Sequence, residues 1–459
     1  MHSISAQPPH PRRPSDPPQA LPAPPAAAPP AGAAPTCLLL GAGGFIGAHI
    51  AAALRRGGWR VVAAVRPRPQ LRADERGCDL ARWVHAEDWL PLLDGIDAIV
   101  NAAGILRERG ADTFAAIHHH APLALAEAAA RRSITQFVQI SALGDAADGE
   151  FVASKHRFDA ALAARLPQAL VLRPSVVYSA TGSYGGTSLL RSLAAFPPAL
   201  LLPGHGQWQM QPLAAEDLAD LVVQGLAQRQ TGCHEVGGPA AMTLAQYQRQ
   251  WRLWLGGDAR REWHVPVALV DRLVALSEPL GRGPLGRTTW RMLQRGNTLA
   301  PGAFDALVFN FGDRAPRALG DVLAATPAQV QDRWHALLHP LAPVLKLAIA
   351  ALWLLSAAAG WLTPATTIEA MAAGSPMARF DSVALARVAG AVDLALGLWL
   401  CASRRPRAVV AWMIATVLAY TVVFGFWLPS LWLDPLGGLA KNLALLPALA
   451  VLWVLVERR

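Results

Sequence analysis

The chain has 459 residues, 53% of them hydrophobic and only 16% charged; that is room for two or three domains, and a balance that argues for membrane segments rather than a wholly water-soluble protein. The net charge of +9 comes from scattered Arg with no basic stripe interleaved with aromatics, so nucleic acid is not an expected partner. Cys37, Cys78, Cys233 and Cys401 lie far apart with no CxxC pair, which suggests neither zinc nor a disulfide framework and fits a reducing compartment.

Residues 1–35 are dominated by Pro and Ala and read as a disordered or polyproline-like tail that cannot bury a core. The tail lacks the basic start and continuous apolar centre of a secretory signal, so the domain after it is expected in the cytoplasm. Thr36–Leu40 is a short apolar run that reads as a buried strand. Gly41-Ala42-Gly43-Gly44-Phe45-Ile46-Gly47 follows, and Ala48–Arg56 reads as a helix. Strand, glycine loop and helix are the context a dinucleotide-binding turn requires. Gly41 serves the tight turn, Gly44 leaves room for a pyrophosphate, and Gly47 lets the helix pack on the strand. The helix N-terminus offers free N–H groups to the phosphates. Gly41, Gly43, Gly44, Phe45, Ile46 and Gly47 are therefore candidate cofactor contacts.

Further strands are expected at Arg60–Val65, Ala98–Ala102, Gln136–Ile140 and Ala169–Leu172, with helices at the Trp89 region, Phe114–Arg132 and Ser154–Arg165. This alternation predicts a doubly wound parallel sheet. Arg66 follows the second strand, where an acidic residue would accept from the ribose of NAD. An Arg suits the 2′-phosphate of NADP, with Arg68 able to assist, so NADP is preferred and NAD remains open.

Together, Gly41-x-x-Gly44-x-x-Gly47, Asn101-Ala102-Ala103-Gly104, Ser141-Ala142-Leu143-Gly144 and Leu172-Arg173-Pro174-Ser175-Val176-Val177-Tyr178 resemble short-chain dehydrogenase/reductases of the extended and atypical kind. Gln211 to Ala219 resembles the family's later stretch leading into a substrate lobe, and the likeness covers residues 36 to about 255. Ile140-Ser141-Ala142-Leu143-Gly144-Asp145 is similar to the subgroup that includes the nucleotide-binding accessory subunit of respiratory complex I. The resemblance implies an Asp near the adenine at Asp79-Leu80. It also implies cofactor contacts at Asn101, Ala102, Ala103, Gly104, Lys155 and Pro174.

The family's chemistry uses a Tyr four residues before a Lys, with a Ser hydroxyl on the same oxygen. Here the Lys is Lys155, Ser141 is the candidate Ser, and Phe151 stands at the Tyr position with no proton to give. Either Lys155 holds the ribose and ordinary hydride chemistry is absent, or another acid acts; Tyr178 and His118 to His120 are substitutes. Metal ligands on one helix face are three or four apart. Three consecutive His point three ways, so no metal site is expected; the resemblance implies a helix beneath the cofactor with one His facing in.

Helices are expected at Thr243–Leu255, Val265–Ser277, Thr288–Gln294 and Pro327–Leu338, the last capped by Thr326 with Pro327 at its first position. Leu293 to Asn297 resembles a connecting stretch and has no chemical reading from sequence. Four apolar stretches follow, about 344–362, 383–402, 408–428 and 436–456, each able to span about 30 Å. Trp353, Trp361, Trp399, Trp412, Trp427, Trp432 and Trp453 are dense there, several near expected ends where an aromatic belt sits. Ser403-Arg404-Arg405-Pro406-Arg407 and Glu457-Arg458-Arg459 carry the flanking charge, which puts the first domain, that loop and the C-terminus in the cytoplasm.

Arg387-x-x-Gly390-x-x-Asp393-x-x-x-Gly397 and Leu436 to Asn442 resemble the DoxX-like group of four-helix membrane domains, some relatives of which are linked to quinone-dependent redox chemistry. Lys346, Arg387, Asp393 and Lys441 fall in or beside apolar spans, where charged groups face the bundle interior in pairs; Asp393 is expected to pair with Lys441 or Arg387.

The expected whole is an α/β Rossmann-like doubly wound parallel sheet with a small substrate lobe (36–258), a helical connecting region (259–342) and a C-terminal four-helix transmembrane bundle (343–459) in a bacterial inner membrane. Its expected function is NADP(H)-linked oxidoreduction of a lipophilic substrate or a quinone-type acceptor. The alternative is a non-catalytic NADP(H)-binding sensor, scaffold or assembly subunit in a membrane redox complex.

Overall fold

The structure, a computed structural model, describes residues 34–258, 260–280, 286–312, 315–403, 406–433 and 438–456. Most of the expected tail, Arg404-Arg405, Leu436-Gly437 and Glu457-Arg458-Arg459 lie outside the described residues. Seven strands form one parallel sheet: β1 (Thr36–Leu40), β2 (Arg60–Val65), β3 (Glu75–Gly77), β4 (Ala98–Asn101), β5 (Gln136–Ile140), β6 (Leu170–Pro174) and β7 (Gly232–Val236), in the order β7-β6-β5-β4-β1-β2-β3. The order reverses at β1, between β4 and β2, and in such a sheet ligands sit at that crevice beyond the strand C-termini. β1 is buried at every residue, as a central strand covered on both faces must be. Leu38, Leu125 and Phe158 belong to one core layer, and Leu39, Ile50 and Leu218 to the other.

The substrate lobe is held by three two-stranded pairings, Val177–Tyr178 with Leu213–Ala214, Gln209–Met210 with Met242–Thr243, and Leu200–Pro203 with Glu262–Val265. Tyr178, Tyr247, Trp251 and Leu323 share its core. Two corrections concern helix starts. The helix expected at Ser154 begins at Glu150, and Gly149, with φ of 145°, precedes it. The helix expected at Pro327 starts at Val330, capped by Gln329 with Asp332, while Thr326 ends the helix Leu319–Ala325. That Val330 helix continues through Pro340 and Pro343 to Leu362, 33 residues in all. Packing thus overrides the two breakers, as neighbouring groups can in apolar helices.

Among the described residues three helices are long and apolar enough to cross a membrane: Val330–Leu362, Ser382–Ala402 and Arg407–Trp427. The fourth expected span is a short turn, Leu439–Lys441, and a helix of 14 residues, Asn442–Leu455, about 21 Å long, which is short of a full crossing. The first two long helices pack through small residues. A Cβ on Gly360 would lie 3.0 Å from Ala386 O, and one on Gly390 would lie 2.7 Å from Trp361; such contacts let apolar helices approach closely. Arg387, Gly390, Asp393 and Gly397 all meet the Val330–Leu362 helix. The expected pairing of Asp393 is overturned. Its carboxylate accepts from Ser356 Oγ at 2.6 Å with Tyr420 beside it. Arg387 donates to the carbonyls of Gly360 and Thr363 at 2.6 and 3.0 Å, and Lys441 is exposed. A helix C-terminus offers unpaired carbonyls that an Arg fork satisfies. Trp353 is 4% exposed in the bundle core.

Candidate functional site

The glycine loop is shaped by contacts that only Gly survives. Gly41 has φ of +77°, and a Cβ there would lie 2.7 Å from Ala102 O; one on Gly47 would lie 2.0 Å from Gly41 O. A Cβ on Gly44 would crowd Gly41 O at 3.2 Å, whereas Gly43 meets nothing within 4 Å. Gly43, rather than Gly44, therefore faces open space where a ligand's backbone approach needs no side chain. Gly44 caps the helix Phe45–Arg56, whose first turn carries no acidic side chain and receives no side-chain cap. Its free N–H groups are left for an anion, so the residues present fit a dinucleotide pyrophosphate.

Arg66 stands at the end of β2 with its side chain 79% exposed and paired with Asp112 at 2.6 Å. Arg68 is not free to assist: it pairs with Glu75, which Arg72 also holds at 2.8 Å. Asp79 closes its own turn, accepting from Ala81 N at 3.1 Å, and Leu80 packs on the core. Asn101 is 2% exposed; it donates to Gln139 Oε1 at 2.8 Å and accepts from Ala103 N at 3.1 Å, which locks the Ala102-Ala103-Gly104 turn. Pro174 ends β6, and its carbonyl accepts from Leu143 N at 2.9 Å.

Lys155, Phe151, His118 and Ser154 come together beside this turn. A Cβ on Gly104 would lie 3.5 Å from both Lys155 Nζ and His118 Nε2. Lys155 is 5% exposed and donates to Ile140 O at 2.9 Å. Burial pushes its ammonium down to about 8, with Asp159 pulling the other way. Phe151 lies edge-on to His118 at 5.6 Å, and Lys155 Nζ stands 5.9 Å from the Phe151 ring centre. His118 Nε2 accepts from Ile105 N at 3.0 Å, and Nδ1 lies 2.9 Å from Ser154 Oγ, which itself donates to Phe151 O at 3.3 Å. Only the neutral ring with hydrogen on Nδ1 fits these bonds, in line with burial pushing His118 down to about 3. His118 is thus engaged at both nitrogens and is a poor proton donor. His119 and His120 turn away from this buried network, His120 being exposed.

Tyr178 and Ser141 are no better placed to give a proton. Tyr178 is fully buried between Tyr247 and Trp251, and burial raises its hydroxyl pKa far above the usual range. Ser141 Oγ donates to Asp159 at 2.7 Å, and Arg173 Nε reaches the same carboxylate at 2.9 Å. Ser141 is therefore tied behind the site. Ser154 and Asp159 had no motif in the sequence to single them out, and Arg173 stood within the motif at 172–178 with no role attached; the helix that Ser154 and Asp159 share with Lys155 is the one trace of them. The stretch Leu293 to Asn297 now has a role: Arg295 Nε donates to both Asp148 carboxylate oxygens at 2.9 and 3.0 Å, and Asn297 Nδ2 donates to Leu143 O at 3.4 Å. The connecting region is thereby fastened to the loop that precedes the Lys155 helix.

Comparison with known proteins divides the chain in two. Residues 37–236 match the NAD dependent epimerase/dehydratase family, and residues 350–452 match the DoxX-like family. A ceramide reductase of Caulobacter vibrioides is 31% identical over 148 residues, 30% of this chain; the chain spans 45% of the length of that relative. Among solved structures, a dTDP-4-dehydrorhamnose reductase from Clostridium acetobutylicum is 15% identical with a TM-score of 0.47, over 63% of this chain and 98% of its own. A dTDP-glucose 4,6-dehydratase from Bacillus anthracis in complex with NAD is 15% identical with a TM-score of 0.46, over 64% of this chain and 95% of its own. The chain thus carries a domain of the NAD dependent epimerase/dehydratase family followed by a DoxX-like domain.

Proposed function

We propose that this chain is a membrane-tethered oxidoreductase that holds NADP(H) and acts on a lipophilic carbonyl compound delivered from the bilayer. The observation that carries the reading is Lys155: a buried ammonium held near neutral pKa, beside Gly104 and the ring of Phe151. The bound dinucleotide supplies hydride. Gly41, Gly43, Gly44, Phe45, Ile46 and Gly47 would hold its pyrophosphate, and Asp79-Leu80 would serve the adenine. Asn101 to Gly104 and Pro174 frame the nicotinamide side. Arg66 exchanges Asp112 for the 2′-phosphate, since an exposed ion pair is worth only about 0–1 kcal/mol. With Phe151 in the phenol's place and His118 committed at both nitrogens, the proton for a reduced carbonyl oxygen comes from Lys155 Nζ or from water that it orients. The named activity of the Caulobacter relative supports a lipid-linked carbonyl over a soluble sugar. A quinone-type acceptor is the variant of this reading in which the DoxX-like part takes the electrons. The domain faces the cytoplasm of a bacterium by the Arg placement already described.

A second reading rests on one specific observation. Phe151 has no hydroxyl, which favours a sensor or scaffold subunit that holds the cofactor without turnover. The test is protein purified in detergent and titrated with NADPH and NADH, then followed at 340 nm with long-chain keto-amides and a short-chain quinone. Tighter binding of NADPH, lost in Arg66→Ala, and turnover that rises in Phe151→Tyr are expected. Cofactor that binds and never turns over, even in Phe151→Tyr, supports the scaffold instead.

A further inference from the structure

A cavity of about 510 Å³ lies between the Pro197-Pro198 turn, the end of the helix Leu244–Trp254 and the first turns of Val330–Leu362. Arg252, Arg260, Arg261 and Arg333 line it, against one carboxylate, Asp258. Arg252 builds the wall: it donates to the carbonyls of Ala194, Phe196 and Pro197 at 3.0, 2.7 and 3.2 Å. Arg260 shares Asp258 at 3.5 Å. Arg261 and Arg333 have no carboxylate partner among the described residues. The cavity therefore gathers four positive charges around one negative one, and like charges converging on one concave surface raise the local affinity for an anion.

The place of this cavity selects the anion. Arg333 belongs to the helix that enters the bundle, and its neighbours Trp334, Leu338, Leu341 and Val344 are 63%, 37%, 52% and 59% exposed. An exposed Trp at the head of an exposed apolar face fits headgroup level, where indole rings sit. A 33-residue helix is about 50 Å long against a hydrocarbon core of about 30 Å, so roughly its first dozen residues stand at headgroup level or above it. Basic pockets beside membrane helices on the positive-inside face take lipid phosphates.

We propose that this cavity binds the phosphate of an anionic membrane lipid through Arg261 and Arg333, with Arg260 at its rim. It is distinct from the glycine-loop site, and it rests on the reading that Val330–Leu362 enters the bilayer. Lipid bound here pins the lobe end of that helix to the membrane surface, close to the elements Gly186–Ala195 and Leu244–Trp254 of the substrate lobe.

The test uses the full chain in detergent, with thermal unfolding followed by Trp fluorescence. Dioctanoyl phosphatidylglycerol should raise Tm saturably, and dioctanoyl phosphatidylcholine should not. Arg261→Gln/Arg333→Gln should weaken the half-saturating concentration by roughly 30-fold, with dinucleotide affinity as its folding control. Asp258→Asn, which keeps the turn's acceptor and removes the opposing charge, should tighten it. Equal responses to both lipids, an unchanged response in the double variant, or no response at all overturns the proposal. Inorganic phosphate reproducing the whole effect overturns the lipid assignment in favour of a free anion. Alkaline carbonate extraction separates the two readings: protein released from membranes sinks the membrane reading, whereas retained protein without a phosphatidylglycerol response sinks only the cavity.

Discussion

The two halves of the chain bury an ionisable group each, and they treat it oppositely. In the sheet domain Lys155 is buried beside Gly104, with one bond to a backbone carbonyl. In the bundle Asp393 is 5% exposed and held by Ser356 from the neighbouring helix. The first arrangement leaves a proton-bearing group with a single backbone partner beside the turn at residues 101–104. The second spends its hydrogen-bonding capacity on helix contacts. The lesson is that a charged residue in an apolar setting signals chemistry only where its surroundings leave it something to do.

The largest way to break the comparison is steric. Gly47→Ala places a methyl on the Gly41 carbonyl, and dinucleotide affinity should fall by about 100-fold or more. Gly43→Ala should be far milder; equal losses in the two variants would mean the loop is not held as described. Next is Lys155→Met, expected to lower turnover by about 10²–10⁴-fold. Wild-type turnover should fall as pH rises through about 8, where the Lys155 ammonium loses its proton. The same residue gives a stability signature. Its folded pKa lies below the unfolded value of 10.5, so the unfolded chain binds more protons between those limits and stability rises with pH from about 8 to about 10.5. The full rise is at most about 3 kcal/mol, and chemical denaturation across that range should find it absent in Lys155→Met. The smallest effect belongs to the bundle. Ser356→Ala should cost about 0.6–1.7 kcal/mol, read as a lowered Tm in detergent with NADPH affinity unchanged; a change in turnover instead would give Asp393 a part in the chemistry.

Much of the sheet domain was legible because its central strands are short and mostly apolar, with helix-like stretches between them. Thr36–Leu40, Arg60–Val65 and Gln136–Ile140 stand where the sequence puts them. Gly232–Val236 was missed because its first two residues are exposed and its composition, Gly-Cys-His-Glu-Val, carries no alternation. The Glu75–Gly77 strand has three residues and no pattern to show. In the site, Lys155 and Phe151 were visible through spacing on one helix, but the His118–Ser154 contact joins residues far apart in the chain and depends on ring orientation. Asp393 was legible as unusual and illegible as to partner. Arg387 lies on the same helix, yet its guanidinium is drawn to the carbonyls at the end of the preceding one. A count of charges in a span says that some partner exists; only helix rotation says which.

The unbroken helix from Val330 to Leu362 touches the substrate lobe at Gly186–Ala195 and then enters the bundle. Among the described residues one continuous helix joins the two. A continuous helix is expected to act as a strut that holds the height of the Lys155 site above the lipid constant. A flexible insertion at Pro340 would convert that constant into a variable, and energy transfer between a labelled lobe and a labelled bilayer would report the change as a broadened distance.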